Sequence, residues 1–485
     1  MDSSFPKGIH CVVHESYIDL MGLKGSFAEL FPMDLAQVES VIGFYGSSMD
    51  KVHFISTGYN WGMGSKHPPY GKSIVVNLCN LKSISNFDEE LGYIKIEPGV
   101  TQADLVEYLN DNSKKWYLDV TGSGCKTSIL GNSLERGIGY KKCRVDLIKK
   151  LSGYDKESNR MVGTGYNMGS RIDYAYPWGV GPDRTGMFYQ TDSIVTLSAV
   201  VKLLRLPEKR LSFNIYVDEN NIELVTDVLR DLWQRRILTN NTHLASPERI
   251  RGLLGPQIKI RTDESYDEIT ANMNKILKNK WIGSACIEGD KEIVRRKYKL
   301  VVKAFKGLAK CKKQRDIPSV VNFLPNKGVF AVLKTLKVIS PELHKYGQGI
   351  PSDIGLPSVL WSPSITTAEI NKLLSTKDLD SCEVGSMFCA PVLPMNGNGL
   401  SRFNAVINSV SDSYDFVPAI TINYPTDSFC ELVINVTYKK TADNYKRASV
   451  WMDELETKLL KCGGAFYRKN VFQKSQGSEI VKSTA

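Results

Sequence analysis

Thr121 to Tyr140 read TGSGCKTSILGNSLERGIGY. A glycine-punctuated turn is joined here to a second glycine cluster, with little branched bulk between them. A backbone that bare can approach a ligand closely and offer its N–H groups to phosphate oxygens. Tyr176 to Thr196, YPWGVGPDRTGMFYQTDSIVT, is a second loop of the same kind. Residues 56–65, STGYNWGMGS, form a third between two strand-like runs. Three such loops point to a large phosphorylated cofactor wrapped by backbone. The GSGCKTS run has the look of a Walker A loop, but Cys125 stands before Lys126 where that motif needs glycine. No apolar strand ending in aspartate stands out as its Walker B partner. No GxGxxG follows a strand, which argues against a Rossmann dinucleotide site.

The same residues carry a family resemblance. LGNSLERGIGY (130–140) and the 176–196 loop resemble two signature loops of the vanillyl-alcohol oxidase and p-cresol methylhydroxylase flavoproteins. GYNWGMGS (58–65) is similar to their pyrophosphate loop, and EPGVTQADLVEYL (97–109) to their EPGVT strand-to-helix junction. CAPVLPMNG (389–397) resembles a strand of the substrate-capping domain. GGAFYR (463–468) resembles the Tyr-Arg pair at the return to the flavin domain. The resemblance implies an α+β fold: a PCMH-type FAD-binding domain of two subdomains, with a cap domain on an antiparallel sheet. It implies FAD held by Thr57, Gly58, Asn60 and Gly62 at the diphosphate. Ser128, Gly131, Asn132, Gly137 and Gly139 would contact diphosphate and ring, and Ile194 and Val195 would lie against flavin or adenine. Tyr467 and Arg468 would hold a substrate oxygen and negative charge. Glu431 is the candidate general base, from its place on a cap strand.

Departures from the pattern bear on chemistry. Met63 stands where a phenolate-binding tyrosine can occur. Asn60 replaces a histidine that bonds the flavin 8-methyl in berberine-bridge-type relatives. No histidine lies near Glu431 or Leu432, and no acidic residue at Gly122 or Ser123. The Pro/Gly-rich segment usual after Tyr-Arg is missing, and a polar, disordered tail is expected instead. Cys125 matches a cysteine whose sulfur bonds flavin C6 in those relatives. A lysine and bare amides beside it would lower its pKa. FAD is therefore expected to be held non-covalently or by a thioether through Cys125. Asp119 and Asp192 are candidate charged groups near the flavin, with Asp192 read first as ordering its own loop, and His67, after the pyrophosphate loop, reads as a capped loop histidine.

Composition is ordinary for a folded globular protein. At 485 residues, 42% hydrophobic and 24% charged, the chain has room for two or three domains. The N-terminus lacks a signal-peptide pattern, and no run approaches the about 18 apolar residues of a membrane span. Ten cysteines are irregularly spaced and none form CxxC, so neither zinc nor a disulfide framework is expected. A reducing cytoplasmic setting follows. The basic run Arg295–Arg315 reads as the solvated face of a helix with Leu300, Val301, Ala304, Phe305 and Leu308 inward, not as a nucleic-acid module.

Periodicity predicts helices over 35–47 and 101–109, and strands over 52–56, 73–78 and 93–97. A long strand or bent pair covers 192–206. A strand at 211–217 and a helix at 221–234 open a second module. The domains expected are 1–207 for FAD, 208–465 for the cap, and 466–485 for the return and tail. The function expected is hydride transfer from a small para-substituted phenol, alcohol or amine to flavin N5, with reoxidation by oxygen or another acceptor. A homodimer is an open arrangement. Two alternatives remain at this level: a flavin-binding protein that has lost catalysis, and a P-loop-like phosphotransferase.

Overall fold

The computed structural model describes residues 5–164, 171–178, 180–314, 317–468 and 470–471. Gly179 of the second glycine-rich loop, Arg315 and the polar tail 472–485 lie outside the described residues.

The first sheet comprises β1 (His10–Ile18), β2 (Lys24–Phe31), β3 (Val52–Ile55) and β4 (Ile74–Asn77), in the order β1-β2-β4-β3. Both β2 and β3 run parallel to β4, with the helix Leu35–Tyr45 as the crossover between them. This parallel element was not in the sequence reading, because β1 and β2 carry too many polar residues to stand out. Their sequences, HCVVHESYI and KGSFAELF, break strict alternation.

The second sheet takes β5 (Ile84–Asp88), β6 (Tyr93–Ile96), β8 (Ile148–Asp155), β9 (Arg160–Gly163) and β10 (Ile194–Lys202), in the order β5-β6-β10-β8-β9. Strand β10, IVTLSAVVK, is buried along nearly its whole length, with Ala199 and Val201 in one core and Val195 and Leu197 in another. The long run bends after it: β7 (Trp116–Tyr117) pairs with β11 (Leu204–Arg205) in a short ribbon. The helix Gln102–Asn112 starts on a capping box, with Thr101 and Asp104 each closing on the other's backbone N–H.

Every strand from residue 209 onward joins one nine-stranded sheet. Its members are β12 (Lys209–Val217), β13 (Thr242–Ala245), β14 (Trp281–Gly289), β15 (Ala309–Lys313), β16 (Val384–Cys389), β17 (Pro391–Pro394), β18 (Ala419–Tyr424), β19 (Phe429–Lys439) and β20 (Ala465–Phe466). Alternation gives this sheet two faces. Phe213, Ile215 and Val217 of β12 are buried against one face's helices, which present Val225, Leu229 and Leu232 of the helix Ile222–Gln234. Each such side chain contributes about 1.5–3 kcal/mol of burial. The intervening residues Asn214 and Tyr216 point the other way, into a cavity. The sheet is therefore a wall whose back is apolar core and whose front is available for chemistry.

The basic run is only partly helical. The helix ends at Ala304, Gly307 turns the chain at φ +85°, and residues 309–313 become the edge strand β15. Val301 and Phe305 are buried as expected, whereas Leu300 is 37% exposed. Lys310 and Lys312 belong to the cavity face of the sheet, not to a solvated helix face.

Candidate active site

A cavity of about 1170 Å³ lies between the cap sheet and the glycine-rich loops. Its volume exceeds the roughly 300–1,000 Å³ that suffices for a single small ligand. There is space for a dinucleotide and a substrate together.

Two cross-strand rows form the cap side. The first runs Lys312, Asn214, Ser284, His243, Asn423, Glu431, each residue paired with the next on the neighbouring strand. The second runs Lys310, Tyr216, Ile282, Ala245, Thr421, Val433. All twelve face the cavity. The first row is polar throughout, which is why its strands did not read as a ligand wall from the sequence: each polar residue looks like an ordinary outward-facing position.

The facing side is built from the loops singled out above. Thr57, Gly58, Asn60, Ser128, Gly131, Asn132, Gly137, Ile194 and Val195 all line the cavity. Gly58 sits at φ +78°, a conformation a side chain would strain. At Gly131 a Cβ would lie 2.3 Å from Ser56 Oγ, so the chain can pass closely only without one. Ser128 Oγ accepts from Gly131 N at 2.9 Å and donates to Pro98 O at 2.7 Å, which fixes this turn. Asp192 lines the other end, paired with Lys72 at 2.5 Å and Lys156 at 3.3 Å.

Three expected cofactor residues lie outside the lining. Gly62 is packed under the cap: a Cβ there would be 2.0 Å from the Phe388 ring. Gly139 lies against Asp119, whose Oδ2 would be 2.1 Å from a Cβ. Asp119 itself is fully buried beneath the turn and accepts from Lys141 N and Lys142 N, away from the cavity. Cys125 turns toward Asp353, whose carboxylate accepts its backbone N–H at 2.8 Å. Burial and that carboxylate push its thiol up to about 11, the reverse of the lowered pKa expected. Lys126 also stands outside the lining, its ammonium 5.8 Å from the Tyr59 ring centre, so the P-loop alternative loses its phosphate-binding lysine. His67 is packed between Tyr17 and Phe27 and likewise does not reach the cavity.

The structure brings Tyr467, Arg468 and Glu431 together at the wall's polar end. Strand β20 pairs with β17, and β17 with β19, which carries Glu431. Burial and the neighbouring Glu431 carboxyl hold the Tyr467 hydroxyl well above its usual pKa. An Arg468 Nη donates to Asn60 Oδ1, tying the pair to the pyrophosphate loop. Asn423 Nδ2 donates to Glu431 Oε2, and His243 Nδ1 lies 2.6 Å from Asn423 Oδ1. Desolvation outweighs these hydrogen bonds and raises Glu431 to about 7. Burial lowers His243 to about 4, so its ring is neutral at physiological pH. Tyr140 packs on His243 at 4.4 Å and stacks on Tyr346 at 4.8 Å, closing this end with rings. His243, Asn423, Tyr140 and Arg249 were not identified from the sequence. For His243 and Asn423 the only signal is register across a sheet, which one sequence does not reveal.

The cavity fits a flavin dinucleotide on its own evidence. Several of its buried polar atoms have no partner among the described residues: His53 Nδ1, Trp61 Nε1, Asn132 Oδ1, Thr196 Oγ1, Glu431 Oε1 and Arg468 Nε. Buried polar groups are ordinarily satisfied, so donors and acceptors spread along one cavity mark a polar, extended ligand. Among the described residues, no group of His, Cys, Asp and Glu could hold a metal ion. No helix there is long and apolar enough to cross a membrane.

Comparisons with known proteins agree. The FAD binding domain family matches residues 28–155. The chain is 26% identical over 432 residues to a 1'-carboxy-chondrochloren decarboxylase of Chondromyces crocatus, covering 85% of this chain and 77% of that protein. It is 25% identical over 452 residues to the flavoprotein subunit of 4-cresol dehydrogenase (hydroxylating) of Pseudomonas putida, covering 90% and 78%. In structure it is similar to substrate-bound p-cresol methylhydroxylase, with a TM-score of 0.78 at 22% identity over 93% of this chain and 84% of that one. It is also similar to 4-ethylphenol oxidase of Gulosibacter chungangensis, with a TM-score of 0.77 at 19% identity over 92% and 82%. Loops, cavity and relatives converge: the chain is an FAD-binding oxidoreductase similar in sequence and fold to p-cresol methylhydroxylase, and FAD is its cofactor.

Proposed function

We propose that this oxidoreductase removes a hydride from a para-substituted phenol, or from an alcohol or amine of similar shape, at the end of the cavity where Tyr467, Arg468 and Glu431 meet. The observation that carries the reading is that Glu431 Oε1 and Arg468 Nε, both without a partner among the described residues, line one cavity together with Tyr467. FAD, when bound, supplies the electron acceptor, and oxygen or another acceptor restores it. Arg468 and Tyr467 hold the substrate oxygen as its anion through charge-assisted hydrogen bonds. Glu431, poised near neutrality, takes the phenolic proton on its unpartnered Oε1. Tyr59, Trp61 and Tyr140 keep water from that end. We assign residues 1–207 to cofactor binding and 208–465 to the cap. Cys125 faces away from the cavity, so the flavin is held without a covalent bond.

Two similar proteins are named for 4-cresol and 4-ethylphenol, which makes para-alkylphenols the first substrates to try. A third is a decarboxylase, which adds carboxylated phenols to the panel. Incubation with para-ethylphenol in air, followed by product analysis, tests the reading. An oxidised side chain is expected. A flavin-loaded protein that leaves every phenol, alcohol and amine on the panel unchanged would instead be a binding protein without catalysis.

A further inference from the structure

Arg249 is the cavity's unexplained charge. It is the third residue of the helix Pro247–Lys259 and lines the cavity beside Thr421 and Val433. Its Nη2 donates to Ala419 O at 3.1 Å and Val433 O at 3.4 Å. Its Nε is buried without a partner. Among the described residues no carboxylate offsets its charge: burial alone acts on it, lowering its pKa to about 10, so it stays protonated at neutral pH. A buried guanidinium without an anion is costly. Arg249 lines the cavity, from which an anion could reach it. Val433 and Glu431 lie two residues apart on β19, about 7 Å along one face of the strand, so this part of the cavity is near the reacting end.

The route in has the same sign. At the far edge of the sheet, Lys278, Lys310 and Lys312 line the cavity and are exposed. Lys280 lines it too, but is paired with Asp218 at 3.0 Å. The carboxylates in the lining are Glu135, Asp192 and Glu431, none of them at this edge. Five strand steps separate β15 from β19, roughly 24 Å at ordinary strand spacing. Between the lysines and Arg249 the opposite wall is apolar, with Leu253, Leu254, Ile276, Leu277, Leu336 and Ile339. A cationic rim on a low-dielectric channel concentrates and steers anions.

We propose that Arg249 anchors a carboxylate carried by the substrate on the side away from its oxidised head, and that Lys310 and Lys312 draw that anion in at the open edge of the cap sheet. The inference rests on the oxidation proposed above and narrows its substrate to an acid with an apolar body. Arg249 is the binding group, and the lysines act on the rate of encounter.

The test uses the FAD-loaded enzyme and para-hydroxyphenyl alkanoates of increasing chain length, each paired with its methyl ester. Dissociation constants come from the shift of the flavin absorption band without turnover. The best acid should bind at least about tenfold more tightly than its ester, as loss of a charge-assisted hydrogen bond implies. Arg249→Met should abolish that preference. Arg249→Lys, which keeps the charge without the fork, should retain part of it and guards against a variant that fails to fold. In Lys310→Gln/Lys312→Gln, association of the acid should slow and lose its salt dependence. Equal binding of acid and ester by the wild type, or a preference that survives Arg249→Met, overturns the proposal. If para-ethylphenol stays unoxidised, the proposed oxidation fails by itself, and the acid-to-ester ratio still decides the role of Arg249.

Discussion

His243 Nδ1 and Asn423 Oδ1 lie 2.6 Å apart, and the pair gives the site a direction. With the ring neutral, Nδ1–H donates to Asn423, whose Nδ2 donates onward to Glu431 Oε2. The far nitrogen of His243 faces Asn241 Nδ2 at 3.4 Å, and Asn241 donates to Gly139 O at 3.0 Å on a cofactor loop. A single chain of donors thus starts at the Asn241 amide, which also holds Gly139 O, and ends on the carboxylate assigned the proton. It leaves Glu431 Oε1 open to the cavity.

Glu431→Gln should lower kcat/KM by about 100-fold or more, in the range for loss of a positioned general base. The base works ionised, so wild-type kcat/KM should rise with pH through about 7 and level off above it. The variant's profile should lack that limb. Steady-state kinetics between pH 5.5 and about 9 read both effects.

Asn423→Ala should move the same limb to higher pH. Its hydrogen bond favours the ionised form of Glu431, so losing it raises the carboxyl's pKa further. The expected shift is roughly half a unit to one unit, with kcat at the plateau falling less than in Glu431→Gln. An unmoved limb would remove Asn423 from its positioning role.

Asp19→Asn should stabilise the protein at neutral pH. Asp19 is buried, its Oδ1 accepts from Gly22 N and Leu23 N, and its Oδ2 has no partner. Desolvation raises it to about 7, and it raises nearby Asp380 to about 6. A carboxyl whose folded pKa exceeds its unfolded one binds more protons when folded. Stability is then greatest below the unfolded value, near 4, and is lost as pH climbs to the folded value. Thermal melts should show the wild-type Tm falling between about pH 4 and 7, and a flatter, higher curve for Asp19→Asn.

Gly62→Ala should cost about 2 kcal/mol and weaken FAD retention, because the new Cβ meets strained backbone at φ +73° and the Phe388 ring 2.0 Å away. Phe388 lines the cavity, so its displacement is felt there. Denaturant unfolding with flavin release as a second signal separates the two effects. Cys125→Ala, by contrast, should leave flavin content unchanged, and acid precipitation should release all flavin to the supernatant in both proteins.

How far the sequence carried the reading depends on whether a residue acts through its neighbours in the chain or across a sheet. Gly58, Gly131 and Thr101 announce themselves locally, since a turn or a cap is set by a few consecutive residues. Tyr467 and Arg468 were found by motif. Glu431 was placed only approximately, and its partners His243 and Asn423 are more than 170 residues apart and meet by strand register. Cys125 misled because adjacent lysine and glycine suggested a lowered pKa, while Asp353, 228 residues away, decides the thiol's surroundings. The run ending at Arg315 misled because Gly307 converts a helical pattern into an edge strand.

The central claim is that the cluster at Tyr467, Arg468 and Glu431 delivers a substrate hydride to bound FAD. Anaerobic mixing of the yellow protein with para-ethylphenol or a para-hydroxyphenyl alkanoate, followed in the blue absorption band, tests it most directly. The account predicts rapid bleaching in the wild type and bleaching slowed by about 100-fold in Glu431→Gln. A wild-type flavin that binds these compounds, shifts its spectrum and stays oxidised would contradict it.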